Sequence, residues 1–408
     1  MGMRGFLKWL VRIVLVAIVA ALVGAFVFRK QISEYRAAFE YAGIFEPGVI
    51  DQNFRSLYTK YGSVKVAKAA APSDLTTAER PLPESYQFKG ETLKIADWID
   101  RTQTTGFLVM KDGVIVHEQY LRGNTADTQS IAMSLSKSTV SFLLGNAVAD
   151  GLVALDQPVD TYAPLLAGGG YKGVKVKDVA QMSSGIGFNE DYGDLTSDIV
   201  KYIIQILTGS VNDFTAHLKN QDPPGTINRY VSADTQVLGM VIEGATKKPL
   251  QDYFSERLWS KLGSQADAYW LTDKTGEVVA AGGLNAVLRD YARFGLLYLN
   301  EGRNFAGEQL VPADWVRASI TPDSPHLMPG RAQIDGLPVM GYGYQWWIPG
   351  ARSGGDFTGI GIYGQFIYVN PERKVVIAKT SAYADYNNTG EAMEQESIAA
   401  FQAIANGL

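Results

Sequence analysis

From Ile13 to Phe28 the chain is apolar without a break, with Arg4, Lys8 and Arg12 before the run and Arg29-Lys30 closing it. As a helix this run rises about 24 Å, and Phe6, Leu7 and Trp9 to Val11 lengthen it toward a hydrocarbon core of roughly 30 Å if Arg12 snorkels. The pattern predicts one N-terminal transmembrane helix within residues 1–30, acting as a membrane anchor. A cleaved signal peptide is the rival reading, since Ala17 to Ala25 offers small residues, but a basic pair ends the run where a cleavage site would be followed by polar residues. Three basic residues before the span against two after it put the N-terminus in the cytoplasm. The expectation is a single-pass protein of the inner (cytoplasmic) membrane with its catalytic domain on the extracytoplasmic, periplasmic side.

Beyond Lys30 the pattern changes. Ser33 stands as an N-cap before a helical spacing of Tyr35, Phe39 and Tyr41. Residues 69–84, A-A-A-P-S-D-L-T-T-A-E-R-P-L-P-E, carry prolines that make an extended strap or linker, so residues 31–94 read as a helix and a strap. Gly106 to Met110 and Val114 to Tyr120 are β-rich runs on either side of Lys111-Asp112-Gly113, a hairpin signal that begins an antiparallel sheet. From Ser134 to about Ala318 the spacing is mostly helical. Strand character returns at Tyr342 to Ile348, Ile362 to Val369 and Val375 to Thr380, and Glu391 to Ala405 closes the chain as a helix. Strands that bracket a helical middle predict an α/β fold: an antiparallel β-sheet flanked by helices, with a mostly helical insertion at about 134–318, in a domain spanning 95–408.

Composition narrows the partners. The chain has 408 residues, 46% hydrophobic and 19% charged, which describes a globular protein with a sizeable core. Its net charge is -5, and the first thirty residues carry +5, leaving -10 on the rest. An acidic body argues against a nucleic-acid partner, and Lys172 to Lys177 reads as a solvated strand or loop. With no cysteine, a thiol nucleophile, an iron–sulfur cluster and a disulfide framework are all excluded.

Gly359, Gly361 and Gly364 spell G-x-G-x-x-G, and so do Gly168, Gly170 and Gly173. A dinucleotide loop leaves a strand and opens a helix, whereas the first set leads into the strand Q-F-I-Y-V and the second into V-K-V-K. No nucleotide cofactor is expected. The three histidines, His117, His217 and His326, have no G-x-S-x-G elbow and no H-E-x-x-H spacing, so neither a serine–histidine pair nor a metal site is indicated. Lysine remains as a base. Ser134-Leu135-Ser136-Lys137 is an S-x-x-K at the start of a helical run, and residues i and i+3 share a helical face. The spacing alone leaves open that Ser134 only caps the helix while Lys137 is solvated.

Further segments accompany it: S-S-G-I-G-F-N-E-D-Y at 183–192, R-Y-V-S at 229–232, Y-G-Y-Q-W-W at 342–347 and G-I-G-I-Y-G-Q at 359–365. Taken in this order they resemble the serine β-lactamase-related, penicillin-recognising hydrolases, and in particular the branch containing 6-aminohexanoate-dimer hydrolase, related esterases and class C β-lactamases. The resemblance covers about residues 95–408. It implies a nucleophile at Ser134, its base at Lys137, and a proton relay to the leaving group at Tyr230. The N–H groups of Ser134 and of Ile362, after Gly361 on an edge strand, would form the oxyanion hole. Tyr192 would contact the leaving amine, Ser232 would bind substrate, and Gly359 and Gly361 would let the acyl group lie against the strand. No cofactor and no metal are implied.

Two departures redirect the substrate. Gly359 stands where penicillin-recognising members carry Lys or His, and Ser232 where many carry Asn. A small neutral or linear ester or amide is then expected in place of a β-lactam. Glu190 and Asp191 read as solvated loop acids, with attraction of a substrate amine as the alternative. Trp346 and Trp347 alternate faces of a strand, one for the core and one for the cleft. The functional expectation is a membrane-anchored serine hydrolase, and the alternative is a catalytically silent membrane-anchored binding module of the same fold. The intact Ser134, Lys137 and Tyr230 favour the enzyme, and the sequence sets no oligomeric state.

Overall fold

The computed structural model describes Phe6, Trp9, Leu10 and residues 13–18, 27–334 and 336–408. Among these described residues no helix is long and apolar enough to cross a membrane. This overturns the expected transmembrane helix within residues 1–30 and, with it, the single-pass placement in the inner membrane; residues 1–5, 7, 8, 11, 12 and 19–26 of that segment lie outside the described residues. The first long helix, α1 (Arg29–Ile44), carries Lys30, Glu34, Arg36 and Glu40 among its apolar positions. It packs onto the body through Ala37 and Tyr41, with its other faces in solvent.

Five further helices frame the molecule: α2 (Ser136–Ala149), α3 (Asp198–Thr208), α4 (Ser232–Thr246), α5 (Leu288–Leu299) and α6 (Tyr386–Gly407). The main sheet has seven strands, β1 (Thr104–Lys111), β2 (Val114–Tyr120), β3 (Gly341–Tyr342), β4 (Trp347–Ile348), β5 (Phe357–Gly361), β6 (Gln365–Asn370) and β7 (Val375–Ser381). Their spatial order is β3-β4-β5-β6-β7-β1-β2, antiparallel throughout. β1 turns into β2 at Asp112 and Gly113, both at positive φ, as a tight hairpin with the right-handed twist of its strands requires.

Both faces of this sheet are covered, which is why its strands are apolar without alternation. Phe107 and Val109 of β1 point to one side, where they join Trp98 and Phe401 of α6. Leu108 and Met110 point to the other, against Val376, Ala378 and the α5 side chains Leu296 and Leu297. The middle of the chain is mostly helical, but it also contributes the strands Ala268–Leu271 and Leu284–Ala286. These pair with Ser63–Val66 and Ser130–Ile131 in a second, four-stranded sheet. The proline-containing strap is held as well: residues 76–80 exchange backbone hydrogen bonds with Ile115 and Val116 of β2 and so cover that outer strand.

α2 is buried on nearly all sides along Ser136–Ala147, a helix through the middle of the molecule. Several of its polar side chains bond within the protein. Thr139 Oγ1 donates to Ser136 O (2.6 Å), Asn146 Nδ2 to Phe142 O (3.1 Å) and Ser138 Oγ to Gln345 O (2.8 Å).

Candidate active site

Ser134 lies in a single 3-10 turn, Met133–Leu135, immediately before α2. Met133 holds φ +48, a left-handed conformation that costs free energy in a side-chain-bearing residue and needs support from its surroundings. That support is local. Ser136 Oγ donates to Met133 O (2.8 Å) and accepts from Leu284 N–H (3.2 Å), while Ala132 N–H donates to Leu284 O (2.7 Å), tying the turn to the small sheet.

One helical turn on, Lys137 Nζ is 2.9 Å from Ser134 Oγ and donates to Ala281 O (2.6 Å). Lys137 is 2% exposed. Burial pulls its pKa down to about 8, against the nearby Glu190 carboxylate, which raises it. A neutral amine here can keep one N–H on Ala281 O and leave its lone pair free for the serine hydroxyl.

Tyr230 closes the group. Its ring lies 5.2 Å from Lys137 Nζ, stacks on Trp347 (5.3 Å, 21°) and meets Tyr342 edge-on (6.3 Å, 84°). Burial, then the Glu190 carboxylate, hold the phenol well above its ordinary pKa, while its hydrogen bond with Ser134 works the other way. At neutral pH the Tyr230 phenol is therefore protonated. Trp347 is half-buried beside it, whereas Trp346 is wholly buried against Phe294, Tyr298 and Phe357, so the two tryptophans do part between cleft and core.

Glu190 is not a solvated loop acid. One carboxylate oxygen, Oε1, accepts the backbone N–H of Ser232, the first residue of α4, and thereby satisfies an otherwise open donor at a helix N-terminus. The other, Oε2, is buried with no hydrogen-bond partner among the described residues. Burial raises the Glu190 pKa above the usual carboxylate range, and Lys137 and Ser232 oppose that rise. Asp191 is exposed, and Tyr192 is half-buried with a phenol pushed well up by burial and by Glu190.

Ser134 borders two cavities. One, of about 340 Å³, is acidic, with Glu190, Asp191, Tyr192, Tyr230, Glu391 and Glu394 around it. The other, of about 120 Å³, is walled almost entirely by apolar side chains of α1, α3 and the small sheet. Ile362 and Tyr192 border both, and Ser232 borders the second. None of the three histidines lines either cavity.

The glycine-rich segment is a β-hairpin, with Gly361 paired to Gln365 across the turn. β5 is not simply an edge strand. β4 pairs with it at Thr358, and Gly359–Gly361 extend past that pairing. The room left by the glycines is taken up by the protein itself. A Cβ at Gly359 would come within 2.5 Å of Leu135 Cδ1 and 3.1 Å of Ser138 Oγ, and one at Gly361 within 2.3 Å of Ala132 O. Their lack of side chains thus lets the turn that carries Ser134 press onto β5, which is a different use from accommodating an acyl group.

Residues of α1 and of the segment just after it were not legible as part of the site. Phe45 stacks on Tyr363 (4.6 Å, 7°) and Phe54 meets the same ring edge-on (5.4 Å, 81°). Tyr363 sits at φ +63 directly after Ile362, so this aromatic clamp fixes the backbone that bears the Ile362 N–H. The spacing of Ala37, Tyr41, Ile44 and Phe45 was the available signal, since it marks one face of a helix.

A model of the Beta-lactamase family matches residues 95–399. Among characterised proteins, the chain is 29% identical over 339 residues to the 6-aminohexanoate-dimer hydrolase of Paenarthrobacter ureafaciens, spanning 81% of this chain and 86% of that one. A solved Bacillus anthracis structure, provisionally named as a 6-aminohexanoate-dimer hydrolase, superimposes with a TM-score of 0.78 at 24% identity. That match covers 89% of this chain and 95% of the other. EstCE1, a hydrolase with promiscuous acyltransferase activity, superimposes with a TM-score of 0.61 at 14% identity, covering 76% and 95%. At these identities the two structural likenesses concern the fold alone.

Proposed function

The chain belongs to the Beta-lactamase family, and from that premise we propose that it is a serine hydrolase that cleaves a small ester or amide through an acyl-enzyme on Ser134. The observation that carries this reading is the buried Lys137 amine 2.9 Å from the Ser134 hydroxyl, with a pKa drawn down to about 8. A lysine in water holds its proton at neutral pH and cannot act as a base; this one is neutral in an appreciable fraction of molecules.

In the proposed cycle Lys137 takes the Ser134 proton as Oγ attacks the carbonyl carbon. The developing oxyanion is held by the N–H groups of Ser134 and Ile362, worth several kcal/mol in such sites. As the tetrahedral intermediate collapses, Tyr230 gives its proton to the leaving oxygen or nitrogen and is reprotonated from Lys137. Water then attacks the acyl-enzyme as Lys137 removes its proton, and Lys137 returns that proton to Ser134 Oγ as the acyl–oxygen bond breaks and the acid departs. Tyr192 and Ser232, on the rim of the same space, would contact the substrate. The name of the Paenarthrobacter ureafaciens relative supports a small amide as one substrate class. Gly359, which offers no cation for a substrate carboxylate, supports a neutral acyl portion.

The test is mass spectrometry after reaction with a fluorophosphonate. A single adduct on Ser134 is expected, absent in Ser134→Ala and formed at least a hundredfold more slowly in Lys137→Ala. Correctly folded protein that takes up no adduct would sink the proposal.

A further inference from the structure

We infer that the apolar cavity beside Ser134 is an acyl-chain slot, completed by the N-terminal segment, and that it selects substrates with an aliphatic acyl group. This deepens the proposed function and rests on it. The argument begins with which residues border which cavity. Tyr230, the donor to the leaving group, lies on the acidic cavity and not on the apolar one, whereas Ser134 and Ile362 lie on both. A carbonyl placed at Ser134 with its oxygen toward Ile362 must then send its leaving group to the acidic side. Its acyl group has only the other cavity to enter.

That cavity suits an aliphatic chain and little else. Its walls are Ile203, Ile206 and Leu207 of α3, Ile44 of α1, and Leu271 and Val279 of the small-sheet region. A charged group there would be stripped of water without compensation. Of the phenols on the wall, Tyr202 donates to Gln236 (2.9 Å). The Tyr41 hydroxyl is buried with no partner among the described residues, so it offers a single polar contact to an occupant. At about 120 Å³ the space has room for a short aliphatic chain.

Tyr41, Ile44, Phe45, Leu57 and Tyr61 come from a part of the chain that precedes the family-matched residues 95–399. These residues of the N-terminal segment complete the wall of the slot opposite α3 and the small sheet.

The test uses the full chain and p-nitrophenyl esters from acetate to octanoate. kcat/KM is expected to rise about fourfold per added methylene until the slot is filled. Ile203→Trp, which fills the slot, should reduce the octanoate-to-acetate ratio of kcat/KM at least tenfold. A second measurement does not depend on turnover: Ser134→Ala should bind linear primary amides with a Kd that tightens with chain length. Ser134-dependent hydrolysis with a flat chain-length profile, or with the ratio unmoved in Ile203→Trp, would overturn the slot and leave the hydrolase standing. Wild-type protein that consumes no ester and takes no phosphonate, yet whose Ser134→Ala variant binds longer amides more tightly, would overturn the hydrolase reading and the acyl role with it.

Discussion

At the scale of single residues, the site depends on a buried charge balance between Lys137 and Glu190. Burial favours the neutral form of each, and each favours the charged form of the other. With a Lys137 pKa of about 8, the acyl-transfer rate should fall as pH drops below that value, because protonated Lys137 cannot accept the serine proton. Removing the Glu190 charge removes the contribution that raises the Lys137 pKa. Glu190→Gln should therefore move the acidic limb of the kcat/KM profile to lower pH, a displacement that a loss of structure would not produce. A limb that stays in place or moves to higher pH would show that Glu190 does not act on Lys137.

At the scale of elements, catalysis depends on how closely the turn before α2 approaches β5. The two glycines of that strand should differ in their tolerance. At Gly361 an added methyl group meets the carbonyl oxygen of Ala132, which is backbone and cannot swing away. Gly361→Ala should cost about 1–3 kcal/mol in urea unfolding, the usual range for overpacking, and lower ester hydrolysis at least tenfold by displacing Ser134. At Gly359 the nearest atom is the end of the Leu135 side chain, which can turn, so Gly359→Ala should be the milder change in both measurements. Equal effects would mean that the approach of the turn to the strand is not what these glycines permit. The clamp of Phe45 and Phe54 on Tyr363 works at the same scale, since two rings of the N-terminal segment hold a backbone bend in the hairpin.

At the scale of the whole molecule, a second buried lysine lies away from both cavities at Ser134. Lys379 of β7 is 1% exposed, donates to Ser381 Oγ, and sits 5.3 Å from the Trp98 ring and 5.7 Å from that of Phe366. Burial lowers its pKa to about 7. Between that value and the ordinary lysine value near 10.4 the unfolded chain holds a proton that the folded chain has released, so this group makes stability rise with pH across the interval and leaves it constant below. Lys379→Met removes the effect. The stability of the variant relative to wild type should be greatest near pH 7 and shrink toward pH 9.5, as urea midpoints at the two values would register. A constant difference would place the Lys379 ammonium in contact with water.

What the sequence determined by itself is whatever rests on neighbours along the chain. The i, i+3 spacing of Ser134 and Lys137, the Asp112-Gly113 turn and the alternation of Trp346 and Trp347 are short-range consequences of helix and strand geometry, and they placed the candidate chemistry and the α/β architecture. Tertiary structure decided what depends on contacts between distant segments. Glu190 reads as a surface acid until the start of α4 is brought against it, 42 residues later. Gly361 reads as room for substrate until Ala132 occupies that room. The apolar run from Ile13 to Phe28 reads as a membrane span from hydropathy, whereas among the described residues no helix is long and apolar enough to cross a membrane; α1, which follows that run, carries Lys30, Glu34, Arg36 and Glu40 and joins the protein core through its Tyr41 face. Burial sets the protonation of Lys137 and the boundaries of the two cavities, and burial is a property of the packed whole that no local window of sequence contains.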